Sequence, residues 1–171
     1  MKVAVIGAGR MGLRHIQIIR EMGLELAGVC DLKAEALALA QKEQSVPEKK
    51  QYIDSVKLLE QTHPECVIIA TTAQAHCEYV CSAVEHGAKF ILCEKPMAVS
   101  LEECERMISC CNKAGVALAI NHPMRFMERY VEAKKITQDT LGGLASVTVV
   151  AGNFGMAMNG THYFEMFRYI T

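Results

Sequence analysis

This sequence predicts an α/β fold with a doubly wound parallel sheet, followed by the start of a second α/β domain. Three observations carry the prediction. Strand-length apolar runs alternate with helix-length segments from the first residue to about residue 121, the order that builds parallel sheets through crossover helices. Runs such as Cys66-Val67-Ile68-Ile69-Ala70 are apolar without interruption, as in strands covered on both faces. The first run leads through Gly7-x-Gly9-x-x-Gly12 into a helical pattern, and that strand–turn–helix context turns a weak glycine signal into a strong one.

Residues 2–6 form the first strand. The turn after it suits only glycine. A helix N-terminus follows, whose first N–H groups lack partners within the helix and whose dipole favours an anion. Gly7, Gly9, Arg10, Met11 and Gly12 are therefore read as the cradle of a dinucleotide pyrophosphate. The helix spans residues 10–22, with Met11, Leu13, Ile16 and Ile19 toward the sheet, and Gly23 ends it. Residues 24–30 are the second strand. Asp31 follows, 19 residues after Gly12, where an acid accepts hydrogen bonds from the adenosine ribose hydroxyls. Asp31 is also placed to cap the helix over residues 34–43, and the two roles are compatible. A carboxylate there repels a 2′-phosphate, so NAD is the expected cofactor, while the neighbouring cation Lys33 leaves NADP open.

Residues 45–51 are polar and contain Pro47, giving a loop, and residues 52–53 suit a short strand. Asp54 caps a helix carrying Val56, Leu58 and Leu59, which ends before Pro64. The strand at 66–70 delivers Thr71 and Thr72 to the carboxyl edge of the sheet, where ligands of open α/β sheets lie. A helix at 74–86, containing His76, closes at Gly87. The strand at 88–93 brings Glu94-Lys95-Pro96 to the same edge. A lysine leaving a buried strand and followed by proline is restrained, and a cis Lys95–Pro96 bond is expected there, although cis is the minority state of X–Pro bonds. Ser100 and Glu103 make a capping box for a helix up to Ala114, which Gly115 ends. The strand at 116–120 presents Asn121 at the ligand edge.

The alternation stops after Pro123. Residues 124–138 read as a helix, Gly142-Gly143 as a turn, 144–151 as a strand of a different sheet, and 162–170 as a helix. Residues 124–171 are few for an independent core, which becomes marginal below about 70 residues. The domain division is therefore 1–122 and 123–171, the second part being the opening of an incomplete domain.

The formal charge of −1 comes without a basic block, so nucleic acid is not an indicated partner. The apolar runs fall short of the roughly 20 residues of a membrane helix, and Met1 leads straight into a strand, so a cytoplasmic protein is expected. The eight cysteines then read as mostly buried thiols, and their spacing gives no metal site.

These residues resemble the glucose–fructose oxidoreductase / inositol dehydrogenase (Gfo/Idh/MocA) family over essentially the whole chain. The resemblance rests on the glycine turn, Ala70-Thr71-Thr72 with His76, Cys93-Glu94-Lys95-Pro96, Asn121-His122-Pro123-Met124-Arg125-Phe126 and Gly160-Thr161-His162-Tyr163-Phe164-Glu165. It implies an NAD(P)-binding Rossmann domain and a larger second domain that holds substrate and usually builds homo-oligomers. It implies hydride transfer between nicotinamide and a hydroxyl of a sugar, polyol or sugar nucleotide. Lys95 would lie near the nicotinamide ribose and the reacting hydroxyl, His162 would be the catalytic base, and Asn121 would approach the nicotinamide or substrate. Thr71, Thr72, His76, Glu94 and Pro96 join the cofactor set.

The family often has aspartates four residues before and three after this histidine, where this chain has Met158 and Glu165. Asn159 is a partial substitute for the first. Family members are usually about twice as long, as two domains of roughly 100–200 residues each require. The departures motivate a second reading, a non-catalytic NAD(P)-binding module or pseudo-enzyme. His15, His63 and His86 have no constellation around them in the sequence and read as structural.

Overall fold

The computed structural model describes residues 1–140, 142–150, 152 and 159–171. It divides into two compact units, Met1–Ile120 and Asn121–Thr171. Met156 and Met158, in the glycine-rich segment, lie outside the described residues.

The first unit alternates as its sequence predicts. In chain order it contains β1 (Lys2–Ile6), α1 (Arg10–Glu21), β2 (Glu25–Cys30), α2 (Ala34–Gln44), β3 (Gln51–Tyr52), α3 (Ser55–Thr62), β4 (Cys66–Ile69), α4 (Ala73–Glu85), β5 (Phe90–Glu94), α5 (Leu101–Ala114) and β6 (Ala117–Asn121). The sheet order is β3-β2-β1-β4-β5-β6. The pairs β1–β2, β2–β3, β1–β4 and β4–β5 are all parallel. The chain therefore winds outward from β1 to β3, returns past β1 to β4, and winds outward again.

This order explains which helix covers which face. Right-handed crossovers put the helices of the two winding directions on opposite faces. Alternate strand residues point to opposite faces, and both sets are apolar here. Val3 and Val5 pack with Leu13, Ile16 and Ile19 of α1 and with Leu37 of α2. Ala4 and Ile6 pack with Leu58 and Leu59 of α3, Val80 of α4 and Met107 of α5. Ile6, Ile16, Leu58, Ile69 and Ile91 are among the largest fully buried side chains, each worth about 1.5–3 kcal/mol of hydrophobic stabilisation.

Several local expectations are met by specific bonds. Asp54 caps α3 by accepting from the N–H groups of Val56 and Lys57. Ser100 Oγ accepts from Glu103 N at 3.2 Å, while the Glu103 carboxylate accepts from Val99 N rather than from Ser100 N. Gly115, at φ 68°, ends α5. The Lys95–Pro96 peptide is cis. All eight cysteines are free thiols.

Other expectations are corrected. Met11 does not face the sheet. It is 37% exposed, because the buried stripe of α1 runs through Gly12, Leu13, His15, Ile16 and Ile19 and leaves position 11 on the outer side of the first turn. Asp31 does not cap α2, whose N-cap is Lys33 without a side-chain bond. In the second unit, residues 124–138 are not one helix. Pro123 opens a 3₁₀ turn, Pro123–Phe126, and Met127 is extended (ψ 129°) before α6 (Glu128–Asp139). The strand expected over residues 144–151 is not formed over 144–150, since no neighbour among the described residues offers them a ladder of hydrogen bonds, and Ala151 lies outside the described residues. Val150 is 93% exposed there. The final helix, α7 (Thr161–Ile170), is present.

The second unit is tied by one carboxylate. Glu165 accepts from Arg125 Nη1 at 2.9 Å and from Arg168 Nε at 2.8 Å. The Arg125 guanidinium lies 5.1 Å from the Tyr169 ring centre, and Lys134 donates to the Tyr169 carbonyl at 2.6 Å. The hydrogen bonds from Arg168 come first in holding the Glu165 carboxyl below the usual carboxylate range, against the opposing effect of partial burial, and the charges of Arg168 and Arg125 add to it.

Candidate functional site

The glycine turn is built by close approach. Gly7 has φ +101°, and a Cβ there would sit 2.5 Å from the Ala70 carbonyl oxygen, so β1 can pass the end of β4 only without a side chain. A Cβ at Gly12 would collide with the Gly7 carbonyl, so α1 can fold back against its own turn only with glycine. Gly9 differs. Nothing in the protein lies within 4 Å of the place its Cβ would take. Gly9 is the N-cap of α1 and borders open space at the helix N-terminus.

That space is a cleft of about 550 Å³, within the range of about 300–1,000 Å³ typical of small-molecule sites. Asp31 and Lys33 border one side, Gly7, Gly9, Arg10 and Met11 form the floor, and Thr71, Thr72 and Tyr79 border the other side. It lies at the carboxyl ends of β1, β2 and β4. These are the strands at which the winding direction reverses, the place where open α/β sheets hold ligands.

The Asp31 carboxylate is fixed on both oxygens. Oδ2 accepts from Ala8 N at 2.8 Å and Oδ1 from Lys33 N at 2.9 Å. An ionised carboxylate has about four acceptor positions, so capacity remains for a ligand in the cleft. Partial burial comes first in pushing the Tyr79 phenol above its ordinary range, with the charges of Cys30, Glu78 and Asp31 adding to it. Cys30, beneath the cleft, is pushed up to about 12, first by burial and then by Asp31 and Asp54.

The remaining sequence-predicted residues of the first unit stand at the exits of β4 and β5. Lys95 is half-buried. Glu94 is buried and bonded to His15, Nε2 to Oε1 at 2.8 Å. His15, which the sequence reads as having no constellation, therefore has one. The two residues are 79 apart in the chain, and no local spacing signals such a pair. His76 is fully buried, with Nδ1 2.9 Å from the Pro96 carbonyl and Nε2 3.2 Å from the Thr71 carbonyl. Its ring reaches the cleft through the Thr71 backbone. Asn121 is the last residue of β6.

In the second unit, His162 stands in the first turn of α7. Its ring meets His122 edge to face, with centroids 5.7 Å apart and planes at 87°. Among the described residues, no cluster of three or more His, Cys, Asp or Glu side chains could hold a metal ion.

Residues 1–122 match the Gfo/Idh/MocA family, described as an oxidoreductase family with an NAD-binding Rossmann fold. The chain belongs to this family. Its relatives include the inositol 2-dehydrogenase of Salmonella typhimurium, 31% identical over 139 residues that make up 80% of this chain and 41% of the relative. The D-apiose dehydrogenase of Paraburkholderia graminis is 32% identical over 73% of this chain and 33% of its own length. The 2,7-anhydro-N-acetylneuraminate hydratase of Mediterraneibacter gnavus is 31% identical over 82% of this chain and 36% of its own length. The chain thus spans about two fifths of the length of the curated relatives it matches.

Solved structures share the fold. The WlbA dehydrogenase of Bordetella pertussis, in complex with NADH and UDP-GlcNAcA, superposes with a TM-score of 0.73 at 27% identity, over 80% of this chain and 41% of that one. An oxidoreductase from Agrobacterium radiobacter, in complex with NAD+, L-tartaric acid and magnesium, has a TM-score of 0.85 over 99% of this chain and 54% of that one. At 23% identity it speaks for the fold alone.

Proposed function

We propose that this chain is the nucleotide-binding part of an NAD(P)-dependent oxidoreductase that moves hydride between nicotinamide and a hydroxyl-bearing carbon of a sugar, polyol or sugar nucleotide. The observation that carries the reading is the cleft at the glycine turn. The Asp31 carboxylate stands on one side of it, and the Gly9 N-cap leaves the α1 N-terminus open. A dinucleotide fits this arrangement. The N–H groups at the start of α1 face a pyrophosphate without an intervening side chain, and Asp31 has acceptor capacity for ribose hydroxyls. NAD is favoured over NADP because a 2′-phosphate would meet the Asp31 charge. Thr71, Thr72 and the exit of β5 continue the edge along which the nicotinamide half would extend.

When bound, the nicotinamide supplies the hydride acceptor. The chain's own residues handle position and the proton. The Lys95 ammonium holds and polarises the reacting oxygen. His162 takes the hydroxyl proton as the C–H bond breaks, with Asn121 orienting the ring or the substrate. The assignment of Lys95, His162 and Asn121 is supported by the family membership and by the restrained exit of β5. Residues 1–122 act as the nucleotide domain and 123–171 as the opening of the substrate domain, a division supported by the break in contacts after Ile120. The substrate class is supported by relatives named for inositol, apiose and an anhydro-neuraminate. Self-association of the whole protein is proposed on the family resemblance alone. No helix among the described residues is long and apolar enough to cross a membrane.

Calorimetric titration of the chain with NAD+, NADH and NADPH tests the binding reading, and absorbance at the NADH band with a panel of polyols and sugar nucleotides tests the chemistry. Absence of binding to all three nucleotides sinks the proposal. Binding without turnover of any panel member favours the non-catalytic module instead.

A further inference from the structure

Among the described residues, the buried polar or charged side chains are His15, His76, Glu94 and Thr137. Burying such groups is costly unless they are paired, so their placement marks where the fold spends stability on geometry. Three of the four converge on Glu94-Lys95-Pro96. His15 reaches from α1, the helix that opens at the glycine turn, and its Nε2 meets Glu94 Oε1 at 2.8 Å with both side chains less than a tenth exposed. His76 reaches from α4 on the other face of the sheet, and its Nδ1 lies 2.9 Å from the Pro96 carbonyl. Its Nε2 is 3.2 Å from the Thr71 carbonyl, at the border of the cleft.

We propose that His15 and His76 are positioning residues that clamp the chain on either side of Lys95 and so fix its ammonium relative to the nucleotide cleft. The proposal rests on the nucleotide reading above. β4 and β5 pair Ile69 with Cys93, so Thr71 and Lys95 leave the sheet side by side. His76 bridges those two exits directly. His15 ties the second exit to the helix whose first turn floors the cleft. The two histidines together connect the cradle, the Thr71 border and Lys95 through buried side chains, and neither lines the cleft itself. A lysine held only by its own backbone would sweep several ångströms, whereas a lysine between two anchored neighbours presents its charge at one place.

The test uses this chain and two ligands that share the adenosine and pyrophosphate half. NADH carries the nicotinamide ribose, and ADP ends at the diphosphate, without that ribose or its ring. Calorimetric titrations would compare wild type with His15→Leu and His76→Leu, and with His15→Gln and His76→Asn, which return a donor near the original ring nitrogen. Clamping predicts that the leucine variants weaken NADH about tenfold while ADP stays within about twofold, the loss expected when a contact to a charged group is misplaced. The amide variants should recover most of the NADH affinity. Equal weakening of both ligands, or no change in either, overturns the clamp and leaves the histidines as packing. Should His15→Leu fail to fold, His15→Asn, which is shorter and admits water beside Glu94, carries the same comparison. A wild-type chain that binds neither ligand overturns the nucleotide reading itself, a result distinct from failure of the clamp.

Discussion

The Asp31 carboxylate accepts a hydrogen bond from the Ala8 backbone N–H at 2.8 Å, joining the exit of β2 to the middle of the glycine turn. One side chain thus shapes the cradle and offers charge to a ligand. Asp31→Ala should lower chain stability by about 1–3 kcal/mol through the loss of charge-assisted bonds to Ala8 and Lys33. It should also reduce the preference for NADH over NADPH, because the repelling charge is gone. Urea unfolding and paired fluorescence titrations check the two effects. A variant that keeps the wild-type preference would remove Asp31 from cofactor selection.

Two glycines of one turn should fail in different ways. Gly12→Ala puts a methyl group into the Gly7 carbonyl, so the backbone must shift, and a loss of about 2–4 kcal/mol or failure to fold is expected. Gly9→Ala meets nothing within 4 Å. It should melt within a few degrees of wild type yet bind NADH at least about tenfold more weakly, since its methyl group intrudes on the open cradle. Equal nucleotide affinity in Gly9→Ala and wild type would contradict the placement of the pyrophosphate.

The buried thiols make the fold sensitive to alkali. Burial pushes Cys30 and Cys93 from 9.0 up to about 12, with the charge of Asp31 adding to the first and that of Glu94 to the second. Above pH 9 the unfolded chain gives up these protons while the folded chain keeps them, so the stabilisation is complete below that value and is lost as pH rises toward 12. Unfolding midpoints should fall over this window, and less steeply in Cys30→Ser/Cys93→Ser. Brief alkylation at about pH 8, read by mass spectrometry, should leave both cysteines unmodified until denaturant is added.

Glu165 gives the second unit the opposite dependence. Its carboxyl is held below the usual 4.5 by the hydrogen bonds from Arg168 first, then by the charges of Arg168 and Arg125. Its contribution is present above pH 4.5 and is lost as pH falls through the lowered value. Glu165→Gln should therefore destabilise α7 near neutrality and differ little from wild type in acid. Hydrogen exchange of the α7 amides at about pH 7 and about pH 3 distinguishes these states. Equal protection at both pH values in the two proteins would argue against the network.

Much of this was legible because it is local. A Cβ-free turn, an aspartate before a helix or a glycine after one acts on neighbours a few residues away, so Gly7, Asp54 and Gly115 could be read in place. The strand expected at 144–151 was not legible in the same way, because alternation states a willingness to pair and the partner must come from elsewhere in the fold. Met11 shows a finer limit. Helical period identifies a stripe, but which residue at its edge turns outward depends on how the helix sits on its sheet.

By itself the sequence determined the alternation of strands and helices, the glycine cradle, the acid at its side and the restrained lysine, since each depends on steric and hydrogen-bonding rules acting over a few residues. Only the tertiary structure decided that His15 meets Glu94 and that His76 bridges Thr71 and Pro96. Those partners lie as far as 79 residues apart, and they become neighbours only after the sheet has set the order of its strands and the helices have settled on its two faces.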